Sequence, residues 1–220
     1  MAYLIWGLVL IISLTIHEFS HALVAYLQGD STAERSGRLT LNPLAHLDPV
    51  GTLVYVLLVL AHSPFIIGWA RPVPFNPNLL KNPRWGSVLV GLAGPLSNFA
   101  LFFICAIILQ FTSIFLPATN LLTVFLADLM LVNGGLGLFN LIPIAPLDGS
   151  KILYGFLPYK RQYIALWLER YGPIILIALI LITPGILEIF LAYGFDALCF
   201  PIAISHAPVT CTDVLRTALY

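Results

Sequence analysis

Charged residues are scarce in this chain. Asp, Glu, Lys and Arg make up only 9% of its 220 residues, whereas a soluble domain carries about 25%. Hydrophobic residues account for 60%, and the mean hydropathy is +0.96. This composition excludes an ordinary soluble domain and predicts an integral membrane protein. Because the formal net charge is zero and no basic stripe is present, nothing in the composition favours nucleic acid as a partner.

The sequence also lacks cysteine motifs and a secretory leader. The three cysteines show no CxxC or zinc-finger spacing, which gives no indication of a thiolate zinc site. The N-terminus lacks the basic flank and the small-residue cleavage site of a secretory signal. We therefore expect the first apolar segment to be retained as a helix.

Long apolar runs dominate the chain. Five of them are candidate membrane-spanning segments, because a spanning helix needs about 20 apolar residues. They cover residues 3–28, 51–69, 86–116, 121–142 and 173–193. Polar, proline-rich stretches separate them, and the stretch 146–171 is expected to include a short interfacial helix. The run 51–69 is interrupted by His62-Ser63-Pro64, which favours a segment that enters the membrane and returns.

The basic residues favour the same topology. If 51–69 is re-entrant, nine of the ten Lys and Arg residues lie on one side of the membrane and only Arg216 on the other, whereas a full crossing divides them seven to three. Cytoplasmic loops are enriched in Lys and Arg. We therefore predict an all-α polytopic membrane protein with about four spanning helices, a re-entrant element and an irregular membrane-edge segment, and with both termini outside. Five or six spanning helices are the alternative. The nine residues are Arg35, Arg38, Arg71, Lys81, Arg84, Lys151, Lys160, Arg161 and Arg170.

A polar motif, His17-Glu18-Phe19-Ser20-His21, lies within the first apolar run. Helical residues four apart share a face, so His17 and His21 can bind one Zn²⁺ while Glu18 lies beside the open coordination position. A carboxylate there can deprotonate a zinc-bound water. In a soluble helix these five letters also arise by chance. In a membrane each ionisable side chain at depth costs about 2.5 to 3.5 kcal/mol, and this cost favours a metal site.

A broken segment follows the fourth apolar run. Pro143 and Pro146 exclude a regular helix between Asn140 and Gly149, since proline lacks an N–H and clashes with the preceding turn. Asp148 can then turn inward as a third ligand, leaving a fourth position for water. The alternative is that Asp148 only caps or leaves the helix. The Asn140 amide is a candidate catalytic donor to the developing oxyanion, with a structural role near Pro143 as the alternative.

Three motifs in this order resemble the site-2 protease family of intramembrane zinc metalloproteases. They are the HExxH motif at residues 17–21, the GPLSN motif at 94–98 and the NxxP and LDG motifs within 140–149. The resemblance implies a zinc-dependent endopeptidase that cleaves transmembrane helices of other proteins near the cytoplasmic side of the cell membrane. It also implies one zinc per chain bound by two histidines and an aspartate, with a glutamate as general base. The resemblance assigns the ligand roles to His17, His21 and Asp148 and the general-base role to Glu18.

The segment 68–77, which reads GWARPVPFNP, resembles the membrane-edge segment of a compact prokaryotic branch of that family. No PDZ-like insertion or nucleotide-binding regulatory tail is expected. We predict a single membrane-embedded domain over 1–220, with the catalytic core at about 3–151 and an additional C-terminal helix and tail at 152–220. The expected partners are the lipid bilayer and a transmembrane protein substrate, which is expected to pair with the backbone N–H groups of Val73 and Phe75.

Two other functions place similar residues in a membrane. A zinc or proton-coupled transporter would also carry His and Asp on facing helices, but it needs a polar path through both membrane halves and has no need of Glu18 as a base. An inactive, partner-binding relative is the other alternative, and the intact ligand set and base argue against it.

Overall fold

The computed structural model describes residues 2–61, 69–112 and 114–200, and these residues form an all-α structure. No strand occurs in them; the one β-type contact they contain is an isolated antiparallel bridge between Leu47 and Ala70. The predicted fold class is confirmed. The helices are α1 Ala2–Leu27, α2 Thr32–Arg35, α3 Pro49–Leu60, α4 Pro83–Thr112, α5 Leu121–Asn140, α6 Gly149–Phe156, α7 Gln162–Ile182 and α8 Pro184–Cys199, with short 3₁₀ turns at Pro43–Ala45, Pro77–Leu79 and Tyr159–Arg161.

Four helices of the described chain, α1, α4, α5 and α7, are long and apolar enough to cross a membrane. Helix α3 has 12 residues, fewer than the roughly 20 that a crossing needs. The interruption at His62, and all of 62–68, lies outside the described residues. The re-entrant topology of 51–69 therefore stays a prediction.

The expected single span at 173–193 was wrong in its boundaries. Helix α7 begins earlier, at Gln162, and ends at Ile182, and a second helix begins at Pro184. Pro184 has no N–H to continue a helix and disfavours helical geometry at the residue before it. Thr183 accordingly leaves the helical region, with φ −130° and ψ 53°. The early start also places Arg170, which was counted as a loop residue, inside α7.

Two compact units are distinguished by their contacts, Met1–Gly94 and Pro95–Tyr220, and their boundary falls inside α4. In the first unit, a small core forms where the end of α1 meets the start of α4. The hydroxyl groups of Ser13, Thr15 and Ser20 in α1 each donate to a carbonyl one turn earlier in the same helix. The core consists of Ala25, Leu80 and Val90, with Val24 and Phe75 packed against it.

The second unit is held together by close helix packing. A Cβ atom at Gly134 would collide with the rings of Phe195 and Phe102, so glycine is what lets these side chains approach α5. A fully buried polar link also joins α4 to α5, since the Asn98 amide donates to Asn133 Oδ1 at 2.7 Å. This bond supports a structural role for Asn98.

Candidate metal centre

The two histidines of the HExxH motif form a buried pair on α1. One helical turn separates them, and their Nε2 atoms are 3.1 Å apart. Zinc–nitrogen bonds of about 2.0–2.1 Å at a tetrahedral angle would separate the two nitrogens by about 3.3 Å. The pair of His17 and His21 is thus spaced to bind a single metal ion through Nε2.

The first turns of α4 fix the orientation of His21. Its Nδ1 lies 2.6 Å from the carbonyl oxygen of Val90. A carbonyl only accepts hydrogen bonds, so Nδ1 carries the proton and Nε2 presents its lone pair. A hydrogen bond to the distal ring nitrogen is the usual support for a metal-binding histidine, because it sets both the tautomer and the ring orientation.

Gly94, the first residue of the GPLSN motif, leaves room for both imidazoles. A Cβ atom built at this position would collide with the Nε2 atoms of His21 and His17. Any side chain here would therefore displace the two candidate ligand atoms. The glycine of the motif is explained by this close approach of helix backbone to the histidine pair.

Glu18 lies beside the pair and is half-buried. Its Oε2 accepts a hydrogen bond of 3.0 Å from the backbone N–H of Val73. The expectation that this N–H is open for a substrate strand was therefore wrong. The hydrogen bond between Val73 and Glu18 could not be predicted from local sequence patterns, because the two residues are 55 positions apart.

Asp148 stands at the start of α6, and its side chain is buried. It makes no capping bond to that helix, which removes the alternative that it serves as an N-cap. Its Oδ1 instead accepts from Lys151 Nζ at 2.7 Å. Gly149 allows α6 to begin against the end of α5, since a Cβ atom there would collide with the carbonyl oxygens of Leu141 and Ile142.

His17, His21 and Asp148 make up a group that could hold a metal ion. Each is buried and offers one ligand atom. Two imidazoles and one carboxylate form a common ligand set of catalytic zinc sites that keep the fourth position open. The donor chemistry therefore fits zinc.

The Asn140 side chain lies at the last residue of α5 and is half-buried. Its Nδ2 donates to the carbonyl of Leu136, one turn earlier, at 3.0 Å. An amide nitrogen carries two hydrogens, so this bond occupies one of them. The proposed oxyanion contact would have to use the other.

Several buried residues near the membrane-edge segment were missed by sequence reasoning. Asp30, Arg38 and His46 are each less than 10% exposed, although the polar stretch 29–49 was interpreted only as a connecting loop. His46 donates from Nε2 to the Thr40 carbonyl at 2.8 Å. No motif marks these residues; the one local signal is that Asp30 directly follows Gly29, which has a φ of 105°.

Comparison with known proteins agrees with this chemistry. The family model described as peptidase family M50 matches residues 6–122. The chain belongs to this family, the site-2 protease family. This M50 protein is a zinc metalloendopeptidase. The family membership therefore argues against the alternative that the chain is a transporter. Its long apolar helices and its family make it a multi-pass membrane protein.

Relatives of this M50 protein occur in bacteria and archaea. YwhC of Bacillus subtilis (strain 168) is 41% identical over 189 residues, which cover 84% of this chain and 82% of YwhC. Rip2 of Mycolicibacterium smegmatis is 32% identical over 188 residues, covering 84% of this chain and 70% of Rip2. Zinc metalloprotease MJ0392 of Methanocaldococcus jannaschii is 39% identical over 84 residues, or 38% of this chain and 24% of that protein. No solved structure gives a significant match.

Proposed function

We propose that this M50 zinc metalloprotease hydrolyses peptide bonds within transmembrane segments of substrate proteins, as a step of regulated intramembrane proteolysis. The observation that carries the proposal is the buried pair of His17 and His21 within α1, a helix long enough to cross a membrane. A metal centre on such a helix serves substrates that are themselves in the bilayer. The substrate is thus a transmembrane protein.

One zinc ion per chain is proposed to bind His17, His21 and Asp148. When bound, it polarises the scissile carbonyl and lowers the pKa of water toward about 7. Glu18 acts as general base and then returns the proton to the leaving amine. The Val90 carbonyl orients His21. The second Nδ2 hydrogen of Asn140 is proposed to donate to the developing oxyanion.

The topology is proposed from the charge distribution. With α1, α4, α5 and α7 as the spanning helices and 51–69 re-entrant, eight of the ten Lys and Arg residues lie on one side and Arg170 lies within α7. By the positive-inside rule this side is the cytoplasmic one. The metal centre then faces the cytoplasm. We propose one membrane-embedded protease domain over 1–220, with its catalytic core at about 3–151.

The test uses the purified protein in proteoliposomes with single-span reporter proteins. The reporters differ in the helical stability of their transmembrane segment, and Glu18→Gln is the inactive control. We expect wild type to cleave the reporters with less stable helices and mass spectrometry to place the cut inside the transmembrane segment. Cleavage confined to extramembrane loops would contradict an intramembrane protease.

A further inference from the structure

We propose that the backbone N–H of Val73 positions the general base Glu18, and that the segment Arg71 to Asn76 is anchored at both ends to hold this N–H in place. The inference rests on the proposed role of Glu18 as general base. It adds a positioning group that belongs to the membrane-edge segment rather than to the zinc-binding helices.

The central contact is the bond from Val73 N to Glu18 Oε2 at 3.0 Å. It is the one hydrogen bond that the described residues give to this carboxylate. Because one oxygen is held, rotation of the carboxylate is restricted and the other oxygen keeps a defined direction for accepting a proton. Hydrogen bonds to a charged carboxylate are among the stronger ones in proteins.

The C-terminal anchor is Asp30. Its Oδ2 accepts from the backbone N–H of Asn76 at 2.6 Å, and its Oδ1 accepts from the backbone N–H of Thr32 at 2.9 Å. Asp30 is fully buried and follows α1 after a two-residue turn. The far end of the segment is thus fixed to the end of the helix that carries Glu18.

The N-terminal anchor joins Arg71 to the loop before α3. The backbone N–H of Arg71 donates to the His46 carbonyl at 2.8 Å. The buried Arg38 guanidinium donates to the carbonyls of Ala45 and Arg71, the latter at 3.3 Å. Arg38 therefore binds both the loop before α3 and the start of the membrane-edge segment.

Two prolines complete the arrangement. Pro72 and Pro74 flank Val73, and each has a fixed φ and no N–H. Val73 is therefore the one residue of the three with an N–H to donate. A segment that is stiff, anchored at both ends and already bonded to Glu18 through the Val73 N–H suits a positioning role better than pairing of Val73 with a substrate strand.

The test removes the N–H without changing the side chain. Incorporating the α-hydroxy analogue of valine at position 73 replaces the amide N–H by an ester oxygen, and Val73→Pro is the genetic counterpart. Val73→Ala and Val73→Thr keep the N–H and serve as controls. We expect the ester to lower kcat about ten- to hundredfold, the effect of losing one charged hydrogen bond, with KM within about twofold and full zinc content. Both controls should lose much less kcat than the ester variant, because they keep the N–H.

A double-variant comparison shows whether the effect acts through Glu18. Glu18→Asp shortens the side chain by one methylene and withdraws the carboxylate from Val73. In that background the ester should reduce kcat much less than in wild type. Equal reductions in both backgrounds, or a raised KM with unchanged kcat, would overturn the inference.

The outcome is distinct from a failure of the proposed function. If wild type shows no zinc-dependent cleavage, the proposed function fails. If wild type cleaves and the ester variant cleaves equally well, the assignment of Val73 fails and the zinc centre stands.

Discussion

At the residue scale, the histidine pair is shaped by two features of α4, the carbonyl of Val90 and the missing side chain of Gly94. The carbonyl selects the His21 tautomer that leaves Nε2 for a metal. The glycine supplies the space in which both Nε2 atoms lie. Both features set ligand geometry before any metal binds, which is the preorganisation that a catalytic site requires.

Gly94→Ala should weaken zinc binding, because the new Cβ would overlap the ligand atoms of His17 and His21. We expect a loss of affinity of at least about tenfold, comparable to the loss of a supporting contact at a metal site. Elemental analysis after competition with a chelator measures it. Gly135→Ala is the matched control, since its Cβ would meet only the Phe195 ring at 3.9 Å. Full zinc retention in Gly94→Ala would contradict the packing account.

Lys151 is the residue that supports the proposed third ligand. It bonds to Asp148 Oδ1 at 2.7 Å, so it restricts the direction of that carboxylate. Lys151→Met should reduce zinc affinity about 10- to 100-fold, and Lys151→Arg should recover part of the loss. Zinc competition titrations compare them with Lys160→Met, an exposed lysine. Equal affinities for Lys151→Met and Lys160→Met would remove Lys151 from this role.

At the element scale, the junction between α1 and the membrane-edge segment depends on Asp30. Burial raises the pKa of this carboxyl. Hydrogen bonds from Thr32 and Asn76 and the charge of Arg35 lower the pKa by more than burial raises it, so the net pKa lies below its ordinary value. A carboxylate whose pKa is depressed by folding stabilises the folded state while it is ionised.

Asp30→Asn should therefore destabilise the protein in a pH-dependent way. The contribution of Asp30 is fully present above the unfolded pKa of about 3.9 and is lost as pH falls through the lower folded pKa. We expect the variant to be about 1–3 kcal/mol less stable near neutral pH, because the amide keeps one acceptor oxygen but turns its NH₂ group toward one of the two backbone N–H donors. The difference should shrink in acid below about pH 4. Denaturant unfolding at several pH values measures it, and a difference that grows in acid would contradict the sign.

Sequence patterns predicted some of these elements well and others poorly. Helix α1 was predicted because its apolar run is long and contains no proline, and because the HExxH motif within it has helical spacing. The two C-terminal helices were merged into one span, because the hydrophobicity of 173–193 outweighed the stop signal at Thr183-Pro184. The bond between Glu18 and Val73 lies beyond any local pattern, since a contact over 55 residues depends on tertiary packing.

At the scale of the whole molecule, the chain combines a metal centre with helices that cross a membrane. The ligands His17, His21 and Asp148 were proposed from motifs alone, because HExxH and the proline-broken segment constrain chemistry locally. Of the residues beside them, Gly94 belongs to the GPLSN motif, whereas Val90 and Lys151 belong to no motif. Their roles follow only from the fold.

The topology has its own test. If 51–69 does not cross the bilayer, then Arg35 and Lys81 share the cytoplasmic side. Both residues are exposed, whereas Arg38 is buried and unsuited to labelling. Cysteines introduced at positions 35 and 81 should react with an impermeant reagent from the same face. Labelling from opposite faces would establish a full crossing and reverse the proposed orientation of one half of the chain.

The most direct test of the central claim is zinc content measured together with turnover in Glu18→Gln. The account predicts one zinc per chain in wild type and in this variant, because Glu18 is a base and not a ligand. Turnover should fall about 10²- to 10⁴-fold, while His21→Ala should lose the metal. Appreciable cleavage by Glu18→Gln, or unchanged zinc content in His21→Ala, would contradict the account.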